Sequence, residues 1–196
     1  MVHKKKNQDI IFSLYRDKRT VFRLVDVAML VKETDMVSLS KKLHYHVSKG
    51  RLKNPRKGIY TKPGYHSEEL ACRLYAPSYI SLDYVLQKEG IVFQYDTGIT
   101  LVSYLTRTIE LENRLHRFRK IKNPVLTNYM GVNRLSNHVN IASGERAFLD
   151  MLYLEPDSHF DNLNSLDKSL IAKLLPVYQS DALIKRTKTL LSNAGY

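Results

Sequence analysis

Apolar residues recur every three or four positions in three stretches near the start of the chain. The stripes are Ile10, Ile11, Leu14 and Tyr15 within residues 7–17, Leu24, Val27, Ala28 and Val31 within residues 24–31, and Leu39, Leu43 and Val47 within residues 38–49. This spacing places the apolar side chains on one face of a helix, where they can be buried together. The pattern therefore predicts three short helices, the third capped by Ser38 and ended by Gly50.

The pattern changes after Gly50, where two short pieces of strand character flank a turn. Residues 51–53 and 59–61 are the strand pieces, and the segment between them, Asn54 to Gly58, is rich in turn-forming residues. A hairpin is expected here, with Arg56 and Lys57 at its tip. Three short helices followed by a hairpin are the arrangement of a winged helix-turn-helix, in which the hairpin is the wing and its cations lie against phosphates.

Helical and extended patterns alternate in the rest of the chain. Helices are expected at residues 68–75, at 82–89 with Ser81 as the cap, at 142–154, and at 165–175 and 181–191 around Pro176. Branched and aromatic residues predict strands at 99–104 and 108–111, and residues 114–122 are extended but strongly charged. The predicted fold class is α+β: an N-terminal winged helix-turn-helix followed by a mixed α/β C-terminal domain that ends in helices.

The positive charge of the chain is concentrated in its first third. Residues 1–66 carry 16 Lys and Arg against 5 Asp and Glu, whereas residues 67–196 carry 15 against 14. This break predicts two domains, 1–66 and 67–196. A local field of this sign attracts polyanions, so the first domain is expected to bind double-stranded DNA. A solvated surface is the other interpretation of such a charge excess.

The third predicted helix carries the residue types that contact DNA. Its outward face shows Ser40, Lys41, His44, Tyr45 and Ser48, flanked by Lys42 and Lys49. Hydrogen-bonding, aromatic and cationic groups on one face suit a recognition helix in a major groove. The full predicted DNA-binding set is Ser38, Ser40, Lys41, Lys42, His44, Tyr45, Lys49, Arg51, Lys53, Arg56 and Lys57.

No metal or cofactor is expected. His44 and His46 point about 200° apart on a helix, so they cannot share one ion. We expect His44 in the DNA-facing surface and His46 packed toward the wing.

The single cysteine and the hydropathy pattern indicate the compartment. Cys72 excludes an internal disulfide and is expected to be a small buried side chain. The longest apolar run, residues 27–31, is too short to span a bilayer, and the N-terminus lacks the apolar segment of a signal peptide. The protein is therefore expected to be cytoplasmic, with no membrane partner.

Two carboxylates within residues 142–154 are the best candidates for catalysis. Glu145 and Asp150 lie about 140° apart around a helix, so they do not converge on one substrate atom. We expect structural roles, with Glu145 near the positive helix end and Asp150 in contact with Arg146 or the backbone. The sequence contains no phosphate-binding loop and no catalytic triad pattern, so we expect no catalytic residues and no enzyme activity.

A second group of cations lies in the C-terminal domain. It comprises Arg114, Arg117, Arg119, Lys120 and Lys122. Natural sheets often protect an edge strand with charge, so a solvent-facing edge strand is one interpretation. The other is a second contact surface, for DNA or for an acidic face of a protein partner.

Three segments resemble one bacterial family. They are "LSKKLHYHVSKGRLKNPRKGIYTKPG", "LYAPSYISLDYVLQKEGI" and "IASGERAFLDMLYL". In this order they resemble the AbiEi-type antitoxins of abortive-infection systems, also called type IV toxin-antitoxin systems, over roughly Thr20 to Leu154. The resemblance implies a winged helix-turn-helix that represses its own operon at repeated sites, and a C-terminal domain that counters a nucleotidyltransferase-type toxin. It assigns the DNA role to the outward residues of 38–49 and to Arg51, Lys53, Arg56 and Lys57.

Two other functions remain open on the sequence. One is a stand-alone winged-helix regulator whose C-terminal domain senses a small ligand in an apolar pocket. The other is a nuclease that docks through its basic third, which requires clustered carboxylates and a divalent metal.

Overall fold

A computed structural model describes residues 9–193 of the chain. The fold is mixed α+β, with two separate sheets. The chain forms two compact units, the first ending at Arg73 and the second beginning at Leu74. None of the helices within residues 9–193 is both long enough and apolar enough to cross a membrane.

The first unit consists of short helices around a small antiparallel sheet. Its elements are α1 (Ile10–Arg16), β1 (Val21–Arg23), α2 (Leu24–Val31), α3 (Met36–Ser48), β2 (Lys53–Arg56), β3 (Ile59–Thr61) and α4 (Ser67–Leu74). The strand order is β1-β3-β2, and Phe22 lies opposite Tyr60. The core contains Leu14, Phe22, Val27, Ala28, Leu39, Leu43, Leu52 and Tyr60. The three predicted helices are confirmed, and α2 has the predicted bounds.

The start of α3 differs from the prediction. Asp35, not Ser38, is the N-cap, because its carboxylate accepts hydrogen bonds from the backbone N–H groups of Val37 and Ser38, each at 3.0 Å. Ser38 therefore lies inside the first helical turn. Asp and Ser are both favoured at an N-cap, so residue type alone does not decide between these two positions. The end of α3 agrees with the prediction, since Gly50 follows it with a φ of +68°.

Two other details of the first unit were not predicted correctly. Tyr15 is exposed rather than inward, and its hydroxyl donates to the carbonyl oxygen of Arg51 at 3.0 Å. The strand β1 was missed, because three residues directly before a helix are too few to show a period of two. Asn7 and Gln8, at the start of the first predicted helix, lie outside the described residues.

The hairpin is present, but its first strand starts later than predicted. Residues 51–52 form the bend after α3, where the Leu52 side chain is buried in the core. The turn itself is Lys57-Gly58, with Gly58 at a φ of +79°. Asn54 closes the turn by donating from its side-chain amide to the carbonyl oxygens of Arg56 and Ile59, at 2.8 and 2.6 Å.

The helix α4 belongs to the first unit because of a buried carboxylate. Glu69 is fully buried and accepts hydrogen bonds from the backbone N–H groups of Thr20 and Val21 and from the Thr20 hydroxyl. Arg73 on the same helix places its guanidinium 3.9 Å from the Asp26 carboxylate. The compact unit consequently extends to Arg73, seven residues past the boundary that the charge break suggests.

The second unit is built on a mixed six-stranded sheet. Its elements are β4 (Ser78–Ile80), α5 (Asp83–Lys88), β5 (Ile99–Ser103), β6 (Arg107–Leu111), β7 (Arg114–Lys120), α6 (Asn123–Leu126), β8 (Val132–Arg134), β9 (Asn140–Ala142), α7 (Gly144–Leu154), α8 (Lys168–Leu174), a 3₁₀ turn (Leu175–Tyr178) and α9 (Asp181–Asn193). The strand order is β6-β7-β5-β4-β9-β8, with β4-β9 and β5-β7 parallel. Helix α7 packs against α5, α8 and α9 through its buried face. The predicted helical ending of the chain is confirmed.

The charged strand, which one of the two interpretations placed at a sheet edge, does not lie at an edge. The strand β7 lies between β5 and β6, so both of its sides are hydrogen-bonded. Its cations are compatible with that place because His116 and Phe118, which alternate with them, are buried. The outermost strands of this sheet are β6 and β8.

Ser81 does not cap α5. Its hydroxyl donates to Asp150, and the cap is supplied by the Thr100 hydroxyl, which accepts from the backbone N–H of Tyr84 at 3.0 Å. Thr100 comes from β5, 16 residues along the chain. A local pattern cannot identify a cap of that kind.

Candidate nucleic-acid interface

The helix α3 separates its buried and exposed faces as the sequence predicts. Leu39 and Leu43 are fully buried in the core of the first unit. Lys41, His44, Tyr45 and Ser48 are exposed, and Ser40 is partly buried between them. The structure therefore brings the central residues of the predicted DNA-binding set to one face of a helix that the core holds rigidly.

The proton position on His44 follows from its contacts. Its Nδ1 lies 2.8 Å from the carbonyl oxygen of Ser40, one turn earlier, and a carbonyl oxygen only accepts. Nδ1 therefore carries a proton and donates it. In the neutral ring this leaves Nε2 as an acceptor, able to receive a hydrogen bond from an amino group.

The Tyr60 side chain, from β3, packs against two residues of this face. The Tyr60 hydroxyl lies 3.3 Å from the Ser40 hydroxyl, and the Tyr60 ring meets the His44 ring edge-on with centroids 5.9 Å apart. Tyr60 is almost completely buried. The central strand of the sheet thus fixes Ser40 and His44 relative to the core, a link that the sequence pattern does not reveal.

Several cations of the predicted set are available to an anion. Lys41, Lys49, Arg51 and Lys57 are exposed, and none of them forms an ion pair with another residue in the described part of the chain. The Lys49 ammonium lies 5.8 Å from the centre of the Tyr45 ring. Lys53 is also exposed, with its ammonium near the Tyr65 ring, whereas Arg56 is partly buried.

Lys42 differs from these cations because it has an acidic partner. Its ammonium lies 3.2 Å from the Glu33 carboxylate. The backbone N–H of Asp35, together with this ammonium, holds the pKa of Glu33 below its usual value. Lys42 therefore offers less net charge to an external anion than Lys41 does.

His46 is less exposed than His44. It is partly buried, its ring is in edge contact with that of Tyr45, and burial followed by the nearby Arg51 lowers its pKa. Within residues 9–193 no three His, Cys, Asp or Glu side chains form a group that could hold a metal ion.

An apolar recess beside the polar face was not predicted from the sequence. Leu24, Met36 and Val37 line it together with Ser40, Lys41 and His44, and its volume is about 560 Å³. Val37 is 67% exposed, and Met36 is 39% exposed. The sequence signal that could have revealed the recess is Val37, an apolar residue that lies off the buried stripe of α3. We call these six residues the α3 recess.

The five cations of the second unit do not form one surface. Arg117 pairs with Asp96 and Arg119 with Glu155. Arg114 is partly buried, and Lys120 and Lys122 are exposed. Because successive residues of a strand point to opposite faces, Lys120 points away from Arg117 and Arg119. Ion pairs and the alternation of side chains along β7 therefore prevent these five cations from forming one continuous surface.

In the second unit, the Asp150 carboxylate belongs to a buried cluster of charged and hydroxyl-bearing side chains. Asp150 and Arg146 are completely buried, with Arg146 Nε 3.3 Å from Asp150 Oδ1, the contact that the sequence suggested. The hydroxyls of Tyr79, Tyr178 and Ser81 also donate to Asp150, at 3.1, 2.7 and 2.8 Å. The remaining guanidinium N–H groups donate to Tyr79 and to the carbonyl oxygens of Val125, Asn128 and Met130.

Electrostatics indicate that this cluster stabilises the fold. Burial, followed by the Asp150 carboxylate, raises the pKa of both tyrosine hydroxyls, so these groups stay protonated and donate. Burial is the largest single effect on the pKa of Arg146 and lowers it, but Asp150, Tyr178 and Tyr79 together outweigh burial, so the pKa is raised and Arg146 stays charged. Each polar group has its partners, and no side-chain atom of the cluster faces solvent.

The second carboxylate that was considered for catalysis, Glu145, also forms a structural hydrogen bond. Glu145 lies in the first turn of α7, as predicted, and accepts from the backbone N–H of Asp167 at 3.1 Å. The two carboxylates therefore serve different structural contacts.

The outermost strand β8 is flanked by exposed apolar side chains. Tyr129 and Met130 precede it and Leu135 follows it, and each is between 44 and 54% exposed. A strand that pairs on one side only can add a further strand from a partner.

Comparisons with known proteins identify no family for this chain. The chain matches no protein-family model, and no curated protein matches it.

Proposed function

We propose that this protein is a DNA-binding antitoxin of the type IV class that represses its own operon and counters a nucleotidyltransferase-type toxin. The observation that carries the DNA half is the exposed face of α3. Lys41, His44 and Tyr45 lie on that face, and the exposed cations Lys49, Arg51 and Lys57, which form no ion pair within residues 9–193, continue it. A face that combines unpaired cations with hydrogen-bonding groups suits a DNA groove.

The order of elements supports a winged helix-turn-helix as the DNA-binding module. In this proposal α2 and α3 form the helix-turn-helix, α3 enters the major groove, and the β2-β3 hairpin is the wing. The wing cations Lys53, Arg56 and Lys57 would lie beside phosphates. Asn54 would keep the turn closed, since its amide holds carbonyl groups on both strands.

The antitoxin half of the proposal rests on the family resemblance and on the second unit. This unit has a core of its own around α7, and its outer strand β8 lies between the exposed side chains of Tyr129, Met130 and Leu135. An unpaired strand edge with apolar neighbours is a common protein-binding surface. In this proposal it contacts the toxin directly.

The salt dependence of DNA binding tests the first half. Lys41→Ala should weaken the binding of the full chain to DNA from upstream of its own gene. The slope of log affinity against log salt should fall by about 0.9 if one phosphate contact is lost. Fluorescence anisotropy with a labelled duplex at four salt concentrations measures both quantities.

The matched control is Lys185→Ala, which removes one exposed charge from α9 in the second unit. It should leave the slope unchanged. If Lys41→Ala and Lys185→Ala have the same effect, net charge alone governs binding and α3 is not the DNA-binding element.

A further inference from the structure

The α3 recess places apolar surface inside a face that is otherwise polar and cationic. Met36 and Val37, in the first turn of α3, and Leu24, at the start of α2, are the apolar residues that line it. Ser40, Lys41 and His44 line it from the following two turns of α3. The recess therefore offers apolar contact, hydrogen bonding and positive charge side by side.

The exposed apolar side chain of Val37 indicates that a binding partner covers it. The branched side chain is 67% exposed although Leu39, two residues later, is fully buried. Leaving apolar surface in water is unfavourable by about 25 cal/mol for each Å². Scattered exposed apolar residues are ordinary, but here three apolar side chains line one recess.

The chemical groups in the major groove of DNA indicate which ligand the α3 recess could bind. The base-pair edges in that groove present hydrogen-bond donors and acceptors, and the one apolar group among them is the C5-methyl of thymine. A partner that places a methyl group against Met36 and Val37 while presenting phosphates to Lys41 matches both the apolar and the cationic residues of the recess. An apolar peptide would match only the apolar residues.

We propose that the α3 recess receives thymine C5-methyl groups and so makes this protein prefer thymine-containing steps in its operator. Val37, Met36 and Leu24 contact the methyl groups, and Lys41 holds the adjoining phosphate. His44, whose Nδ1 is committed to the Ser40 carbonyl, presents Nε2 to an amino group of a neighbouring base. This inference rests on the proposed DNA-binding function and adds its sequence preference.

Deoxyuridine substitution isolates the methyl group. A duplex in which every thymine of the bound sequence is replaced by deoxyuridine keeps all hydrogen-bonding groups and charges. The full chain should bind this duplex about threefold to fivefold more weakly for each methyl group that the recess buries. The measurement is a pair of anisotropy titrations, with and without methyl groups, at one salt concentration.

Variants of two valines separate the recess from general effects of uridine on DNA shape. Val37→Ser should remove most of the difference between the thymine and uridine duplexes. Val25→Ser, at an exposed position of α2 outside the lining of the recess, should keep the difference. Circular dichroism confirms that both variants are folded.

The outcomes that overturn the inference are distinct from those that overturn the proposed function. Two outcomes would show that the recess does not contact thymine although the protein binds DNA. In one, the unmodified protein binds the two duplexes equally. In the other, the difference between the thymine and uridine duplexes persists in Val37→Ser. Loss of self-association in Val37→Ser with an unchanged methyl effect assigns the recess to a second copy of the chain. Absence of DNA binding at low salt overturns the proposed function itself.

Discussion

At the residue scale, His116 shows how a buried ring couples stability to pH. It is 1% exposed in β7, and its Nδ1 donates to the carbonyl oxygen of Arg114 at 3.1 Å. Its Nε2 is buried and has no hydrogen-bond partner in the described part of the chain. A proton added to Nε2 would therefore be unpaired in an apolar setting, and burial lowers the pKa of His116 below its usual 6.5.

The sign of the effect follows from this lowered pKa. Above pH 6.5 the ring is neutral in both states, and its contribution to stability is complete. As the pH falls below 6.5 the unfolded chain takes up a proton that the folded chain resists, so the free energy of unfolding decreases until the folded-state pKa is reached. Chemical denaturation at pH 7.5, 6.5 and 5.5 should show this decrease.

The variant His116→Phe tests the assignment. Phe keeps the ring but cannot be protonated, so the dependence on pH should become shallower even if the overall stability changes. The part due to His46, whose pKa burial also lowers, should remain. If His116→Phe keeps the full dependence, other groups cause it.

At the scale of elements, α4 is attached to β1 by the Glu69 carboxylate. Glu69→Gln should destabilise the protein by about 1–3 kcal/mol, because a side-chain amide brings an N–H group toward the backbone N–H groups of Thr20 and Val21. Denaturant unfolding of the full chain gives the free energy. Glu110→Gln, on the exposed side of β6, should change it by less than about 0.5 kcal/mol. Equal effects of the two variants would show that the buried contact is not stabilising.

The short elements were the ones that the pattern of residues missed. The strands β1 and β4 have three residues each, and α6 has four. Such lengths contain less than two repeats of a helical or strand period, so nothing in the local pattern distinguishes them from loops. The place of β7 inside the sheet was missed for another reason. Its charges suggested exposure, and their partners Asp96 and Glu155 lie 21 and 36 residues away.

At the scale of the whole molecule, the two compact units predict two separable activities. Residues 1–73 contain Glu69 and Arg73 and should bind operator DNA, though more weakly than the full chain, because a domain of this length has a small core. Residues 1–66 lack both side chains and should be largely unfolded. Residues 74–196 should not bind the operator, yet should restore growth to cells that express the nucleotidyltransferase-type toxin that, in the proposed function, a neighbouring gene encodes.

Growth rescue and operator binding, scored for all three fragments and the full chain, check this prediction. If residues 1–73 rescue growth and residues 74–196 do not, protection acts through transcription, and direct contact with the toxin is excluded. A neighbouring gene that encodes no nucleotidyltransferase-fold protein would contradict the antitoxin assignment itself.

The sequence by itself determined what depends on neighbours along the chain. The apolar periods located α1, α2, α3 and α7, Gly50 ended α3, and the charge break indicated a basic first unit. These features are local, since they follow from residues within one or two helical turns. They were sufficient for the α+β class and for the exposed face of α3.

Only the tertiary structure decided which distant residues meet. Glu69 reaches Thr20 across 49 residues, Tyr60 reaches Ser40 across 20, and Tyr79 reaches Asp150 across 71. Polar side chains of these types are exposed in most proteins, so a sequence pattern assigns them to the surface. Glu69, Tyr60, Tyr79 and Asp150 are buried here because each finds a partner from another element, and burial without that partner would be unfavourable. The α3 recess has the same origin, because Leu24 joins Met36 and Val37 only after α2 has packed against α3.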